Sequence, residues 1–420
     1  MTDMFKVSHS TLLVTAAALA CAFACTKPQP DTDIHVTDVY FETESVTVGE
    51  GQSLQMSVTV LPTDATNKAV VWESEKPEIA TVSSTGELTG VKAGTCVITA
   101  TSVDGEITAP CKVTVEEGRK PVRPSGTGWS KVKAAAGVWM YTFSGTDPVS
   151  RQPQYVVVAD IDTTINKLIL FYDGNRHITS EVLSSQNGVV AMNGAYETAS
   201  IFIKAGGTTR QKSLVDNIPD TTVPNWKNDG GIAVGKNGEV TFLNTIFREA
   251  DSKGTGSYGE TLKEQRNFYR GETSQYYSVY SSAPLLVWDY DPIGITFVPE
   301  EWSQSVLKQY DYEHPYRHQG WTHPRTAIGI DCDGHILMLV ADGRYSGKAI
   351  GFSARNLTKF FVNNFDPRYA LNMDGGGSTD MCVAGQGDAT THVVNHPCES
   401  GTWEEPGERQ VTSFFCVVKK

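Results

Sequence analysis

The chain has 420 residues, of which 40% are hydrophobic and 20% charged, with a formal net charge of −13. That length supports two or three domains with real cores, and the balance excludes a disordered polymer. The acidic excess argues against nucleic acid as a partner, because binding a phosphate backbone needs a basic face.

Residues 1–25 read as a targeting segment. Lys6 supplies a positive start, and Thr11–Ala24 is an apolar stretch too short for a membrane span. Small residues lead into Cys25, and a polar, proline-bearing stretch follows. The arrangement resembles a bacterial lipoprotein signal. It implies lipidation at Cys25, with Cys21 as the rival acceptor, and a chain held at the cell envelope (outer membrane or surface) by its lipid alone. Export favours disulfides over metal thiolates for the other six cysteines. Cys96 and Cys111 lie in one segment and can pair locally. Of Cys332, Cys382, Cys398 and Cys416, the expected bridge is Cys382–Cys398, with Cys416 as the competing partner. No C-x-x-C spacing occurs, so no metal is expected.

From 34 to 117 the pattern is one of short alternating strands, among them Ser45–Val48, Ala69–Ser74, Ile79–Val82 and Cys96–Ala100, separated by turn residues. Val70–Ser74, Ile79–Val82 and Gly86–Thr95 resemble a bacterial Ig-like domain of the group 2 kind. The resemblance implies an all-β sandwich with Trp72 and Ile98 in its core and no catalytic residues. Residues 118–128, rich in Pro, Gly, Ser and charge, have linker chemistry.

The remainder, 129–420, reads as one α+β domain around a mixed sheet. Strands are expected at Gln154–Ile161, Lys167–Tyr172, Val189–Asn193, Gly231–Val234, Val240–Phe242, Thr326–Ile330 and Ile336–Ala341. Asn237-Gly238 and Asp333-Gly334 mark hairpin turns. One helix is expected to open at Pro299, with Trp302, Val306 and Tyr310 recurring along it. Another is capped by Ser353 and carries Leu357, Phe360 and Phe361 on one face.

Three segments carry the chemistry. In Tyr369–Asp380 an apolar strand delivers Asn372 and Asp374 into Gly375-Gly376-Gly377 and Ser378, a loop whose amides can approach an anion. Arg325 enters one strand while Asp342 and Arg344 leave the next, and the hairpin between the strands puts all three at one end. Val189–Glu197 ends a strand at Asn193-Gly194, where an amide can hold sugar hydroxyls. Ser378 lacks a nucleophile elbow, and His314, His318 and His323 fit no standard metal spacing. Asp331–Gly334 reads as a turn rather than a calcium loop.

In this order Asn193-Gly194, Ser282–Leu285, His323–Gly329, Asp342–Arg344, Asn372–Ser378 and Glu408-Arg409 resemble the phosphodiester glycosidase family. The chain departs from the family pattern at Ala195-Tyr196-Glu197 and at Ser413. The resemblance implies hydrolysis of N-acetylglucosamine-1-phosphodiester-like linkages in surface or host glycans, without a cofactor. It gives Asp374 as nucleophile or general base, and Asp342 or Glu197 as the second carboxylate. Arg325 and Arg344 clamp phosphate with the Gly375–Gly377 amides, while Asn193, Thr326, Asn372 and Ser378 complete the binding set. The rival from another class is a non-catalytic glycan-binding surface lipoprotein.

Overall fold

The structure, a computed structural model, describes residues 33–197, 201–211, 226–246, 268–269, 271–295, 298–312 and 314–420. The signal segment, with Cys21 and Cys25, lies outside the described residues. The chain divides into two units, one ending at Gly118 and the other beginning at Arg119.

The first unit is all β. Its strands are β1 (Asp38–Tyr40), β2 (Ser45–Gly49), β3 (Ser53–Gln55), β4 (Thr59–Leu61), β5 (Val70–Ser74), β6 (Ala80–Val82), β7 (Glu87–Gly90), β8 (Gly94–Ser102) and β9 (Thr108–Glu116). One sheet has the order β2-β9-β8-β5, with β2 and β9 parallel, and another β3-β7-β6. β8 and β9 alternate buried and open positions, as a strand with one face on a core must. Ile98 and Leu88 are fully buried in that core, and Trp72 packs against it edge-on to Phe41.

The second unit opens with β10 (Trp129–Ala135), β11 (Val138–Thr146), β12 (Pro153–Ile161) and β13 (Asn166–Phe171), then α1 (Thr179–Ser185) and β14 (Val190–Asn193). It continues through β15 (Ile203–Ala205), β16 (Thr208–Gln211), β17 (Gly230–Val234), β18 (Val240–Asn244), β19 (Ser278–Ser282) and β20 (Leu285–Trp288). Two short helices follow, α2 (Gln304–Leu307) and α3 (Pro315–Gly320), then β21 (Arg325–Ile330), β22 (Ile336–Ala341) and α4 (Ala354–Phe365). β23 (Tyr369–Asn372), β24 (Met381–Val383) and β25 (Phe414–Lys419) close it. The expected α+β character is observed, and every described ladder of this unit is antiparallel.

A seven-stranded sheet, β10-β11-β12-β22-β21-β23-β20, is its backbone. One face sends Val157, Ala159, Ile328, Met338, Val340 and Leu371 into the large core shared with the other sheets. The opposite face sends Val156, Val158, Ala327, Leu337, Leu339 and Ala370 against Phe360, Phe361 and Phe365 of α4. Burial on both faces explains why β12 and β22 read as continuous apolar runs rather than as alternation. Ser353 caps α4 as expected, accepting from Asn356 N–H at 3.3 Å. The helix expected to open at Pro299 starts later, at Gln304, with Ser303 as its cap. Trp302 instead stacks on Tyr310.

Two further expectations change. Residues 119–128 belong to the second unit, where Arg123 donates to Asp160 at 2.7 Å and to Asp331 at 2.5 Å. The six described cysteines are free thiols. Cys382 Sγ lies 3.8 Å from Glu408 Oε1, while Cys398 Sγ accepts from Arg344 Nη1 at 3.5 Å, so the two thiols have different partners. The competing partner is also out of reach. Cys382 and Cys416 both register with Ala191 from opposite sides of β14, so a whole strand separates them by roughly 9–10 Å, beyond disulfide reach.

Candidate active site

Antiparallel register brings the three motifs to one place. Arg325 pairs with Ala341 and Ala327 with Asn372, so the start of β21 and the ends of β22 and β23 share one edge of the sheet. β14 comes in from the second sheet, and the joint is sewn by backbone. Met373 N–H donates to Thr326 O at 2.8 Å, Asp374 N–H to Gly194 O at 3.1 Å, and Gly376 N–H to Pro324 O at 2.9 Å. Gly376 takes a left-handed φ of 66°, and a Cβ on Gly375 would meet Pro324 O at 2.6 Å. Both positions therefore exclude side chains.

At this edge opens a cavity of about 790 Å³. Its lining includes Glu197, Arg325, Arg344, Asp374, Gly375, Gly376, Gly377 and Ser378, all expected from the sequence. Four other expected residues do not line it. Asn193 is buried and spent: its Nδ2 donates to Asp374 O at 2.7 Å, and its Oδ1 accepts from Thr326 Oγ1 and Asp380 N–H. Thr326 is thereby spent as well. Asn372 Nδ2 donates to Met373 O, Tyr196 Oη and Ala283 O. Asp342 accepts from Asn395 Nδ2, His396 N–H and His396 Nδ1, all at 2.9 Å, and so clasps the 395–396 turn beneath the cavity wall. Of the two alternatives for the second carboxylate, only Glu197 faces the cavity.

Asp374 carries the main electrostatic signal. Burial pushes its pKa up to about 6, and the nearby Glu197 adds to the rise; Ser378, Lys227 and the Gly375 amide pull against it. Glu197 is fixed by Arg176 at 2.6 Å and by the backbone N–H and hydroxyl of Thr412 at 2.6 and 2.7 Å.

Arg325 is 1% exposed and has no carboxylate partner among the described residues. Its Nε donates to Phe352 O, and its Nη2 to His318 O and Trp321 O, which leaves Nη1 for the cavity. A buried guanidinium held only by carbonyls keeps its charge available for an anion. Arg344, at a left-handed φ of 69°, has only the Cys398 thiol as a side-chain partner among the described residues and lies beside the glycine loop. Within that loop Gly376 N–H is committed to Pro324 and Gly375 N–H turns to the Asp374 carboxylate, so the Gly377 amide is the one left to donate.

Sequence reasoning missed several lining residues: Arg176, Lys227, Tyr312, Glu399 and Gln410 carry no motif. Glu408 and Arg409 belonged to the resemblance without being assigned a role. His318 and His323, set aside as metal ligands, line the cavity as neutral rings. Burial, reinforced by the Arg325 charge, holds His318 well below the usual histidine range and His323 down at about 3. The two departures from the family pattern touch each other: Ala195 N–H donates to Ser413 Oγ at 2.9 Å.

Residues 179–418 match the profile of the family described as phosphodiester glycosidase, more than half of the chain. The chain belongs to the phosphodiester glycosidase family. Residues 35–113 match the bacterial Ig-like domain, group 2. Among curated relatives, the mouse N-acetylglucosamine-1-phosphodiester alpha-N-acetylglucosaminidase is 32% identical over 95 residues, 22% of this chain and 16% of that enzyme. An alpha-L-arabinofuranosidase of Bifidobacterium longum is 45% identical over 71 residues, 17% of this chain and 7% of that one. The chain thus spans a small part of the length of these relatives. The solved catalytic domain of the zebrafish N-acetylglucosamine-1-phosphodiester alpha-N-acetylglucosaminidase superposes with a TM-score of 0.45 at 13% identity, covering 72% of this chain and 87% of that one.

Proposed function

We propose that this phosphodiester glycosidase domain hydrolyses the C1–O bond of a sugar-1-phosphodiester, of the N-acetylglucosamine-1-phosphodiester kind named for its mouse relative. The observation that carries the reading is the pairing of a carboxyl poised near neutrality, Asp374, with a buried arginine that has no carboxylate of its own, Arg325.

A phosphate monoester leaves as a stable anion and needs little protonation, so the site's work is to hold phosphate and supply the nucleophile. Arg325 Nη1 and Arg344 bind the phosphate oxygens, and the Gly377 amide adds a neutral donor. Asp374, as carboxylate, takes a proton from water as the water oxygen bonds to C1. The C1–O electron pair departs with the phosphate. Glu197 sets a second negative charge beside the sugar ring as that ring gains positive charge. Neutral His318 and His323 can bond sugar hydroxyls without competing for phosphate. A pKa matched to the working pH suits a base better than a nucleophile, which favours this role for Asp374.

The test compares hydrolysis of N-acetylglucosamine-1-phosphodiester with that of an aryl N-acetylglucosaminide. Arg325→Lys should depress the first about 100-fold and the second far less, since lysine lacks the planar fork. Equal losses on both substrates would remove Arg325 from phosphate binding. A wild type that binds sugar but turns over neither substrate would favour the surface-lectin alternative.

Export and lipid anchoring at the cell envelope belong to the same proposal, supported by the apolar segment ending at Cys25. Mass spectrometry of native protein should find a lipidated Cys25 at the mature N-terminus. An unmodified residue further along the chain would refute it.

A further inference from the structure

Among the described residues, one group brings three donor atoms of His, Cys, Asp or Glu side chains within 4.8 Å of one another: Asp380, Cys382 and Glu408. It lies behind the glycine loop, where β24 meets the segment carrying Glu408 and Arg409 into the cavity wall. Asp380 is 1% exposed and Cys382 fully buried. Both Asp380 oxygens lack a well-formed hydrogen bond, and so does the hydroxyl of Thr179, which is itself 0% exposed. That hydroxyl is near enough to the Asp380 carboxylate to lower its pKa. Glu408 is held in place from the far side: its Oε1 accepts from Ser180 N–H at 2.7 Å and from the Cys382 thiol at 3.8 Å, while its Oε2 accepts from Ser180 Oγ at 2.6 Å and keeps a second lone pair.

A buried carboxylate with two bare oxygens beside a second carboxylate is unstable as it stands, and only a proton or a cation relieves it. A proton relieves the carboxylates alone. A cation also accounts for the bare hydroxyl pointed at the same spot, and it takes the thiol sulfur, whose bond to Glu408 Oε1 is a long 3.8 Å.

We propose that Asp380, Cys382 and Glu408 bind one divalent ion of the zinc class, with Thr179 closing the fourth side. A thiolate among the ligands selects a borderline-soft ion over calcium or magnesium, and two carboxylate oxygens with one sulfur suit a four-coordinate site. Coordination releases the thiol proton to solvent. Protein atoms supply all four positions and leave none for substrate, so the role is structural. It ties β24 and the start of α1 to the segment that presents Glu408 and Arg409. The donors come from three separated stretches of chain, which is why their spacing in sequence resembles no metal motif.

The experiment uses the full chain, stripped with a chelator and titrated with Co2+ as the probe. Wild type should bind one Co2+ per chain with a thiolate-to-cobalt charge-transfer band in the near ultraviolet, and Zn2+ should abolish that band. Cys382→Ser should lose the band, and Asp380→Asn should weaken binding at least about tenfold. Asp374→Asn, which alters only the cavity, should keep both band and stoichiometry. Absence of Co2+ binding to wild type overturns the proposal, and so does Co2+ bound without the band or a band that survives Cys382→Ser. Should Cys382→Ser fail to fold, the wild-type band and the Asp380→Asn titration decide. None of these readouts depends on sugar-phosphodiester turnover.

Discussion

At the scale of single residues, the site separates side chains that meet substrate from side chains that aim them. Asn193 is the clearest case of the second kind. Its amide ties Asp374 O to Thr326 and to the Asp380 backbone. Asn193→Ala should therefore lower kcat and stability, by roughly 1–3 kcal/mol of lost buried hydrogen bonding, while leaving KM nearly unchanged. Steady-state kinetics with denaturant melts check this; a rise in KM alone would return Asn193 to the sugar. Asp374 also predicts a stability effect of definite sign. Its folded pKa of about 6 lies above the ordinary 3.8, so the folded state binds the extra proton and loses stability as pH rises between about 4 and 6. Asp374→Asn should then melt a few degrees above wild type at pH 8, with little difference at pH 4, as thermal melts at the two pH values would reveal. The motif residues Asp374, Arg325, Arg344 and the glycines were legible because their types are unusual where they stand. Asn193, Thr326, Asn372 and Asp342 were misplaced for a common reason. A strand end can be found in sequence, but whether its last side chain faces the opening or the neighbouring strand depends on the partner sheet.

At the scale of elements, α4 is what makes the seven-stranded sheet two-sided. Phe361 is fully buried against it, so Phe361→Ala should cost about 3–5 kcal/mol. Ser353→Ala, which removes only the cap, should cost about 1 kcal/mol. Urea titrations of the two variants check the ranking, and equal costs would contradict it. This helix was readable because cap and apolar face agree along one stretch. The helix expected at Pro299 was not, because Trp302 and Tyr310 recur for a different reason: they stack on each other beside the short α2 rather than share a helical face. The hairpin turns at Gly238 and Gly334 were legible from the dipeptides alone, and both glycines take left-handed φ values. The Cys382–Cys398 bridge was misjudged because nothing in the sequence says that Cys382 meets Glu408 and Cys398 meets Arg344, and the competing Cys416 because nothing there says that β14 runs between it and Cys382.

For the whole molecule, two units with separate cores carry different duties. The Ig-like unit buries Ile98, Leu88 and Val113 in its own cluster, and the glycosidase unit has its own two large clusters. Calorimetry of the full chain should accordingly resolve two unfolding transitions, of which only the one belonging to the glycosidase unit shifts when a sugar phosphate is added. The division was legible in composition, because residues 118–128 interrupt the strand pattern; their packing onto the second unit through Arg123 was not, since an ion pair across the chain leaves no local signature. The central claim is that Asp374 acts as the base in a cavity built to hold phosphate. The most direct measurement is the pH dependence of kcat/KM for hydrolysis of N-acetylglucosamine-1-phosphodiester by wild type and Asp374→Asn. The account predicts that wild type loses about tenfold per pH unit below about pH 6 and that Asp374→Asn is at least about 100-fold slower at every pH. An Asp374→Asn enzyme with near-wild-type rates, or a wild type whose rate is flat from pH 4 to pH 8, would contradict it.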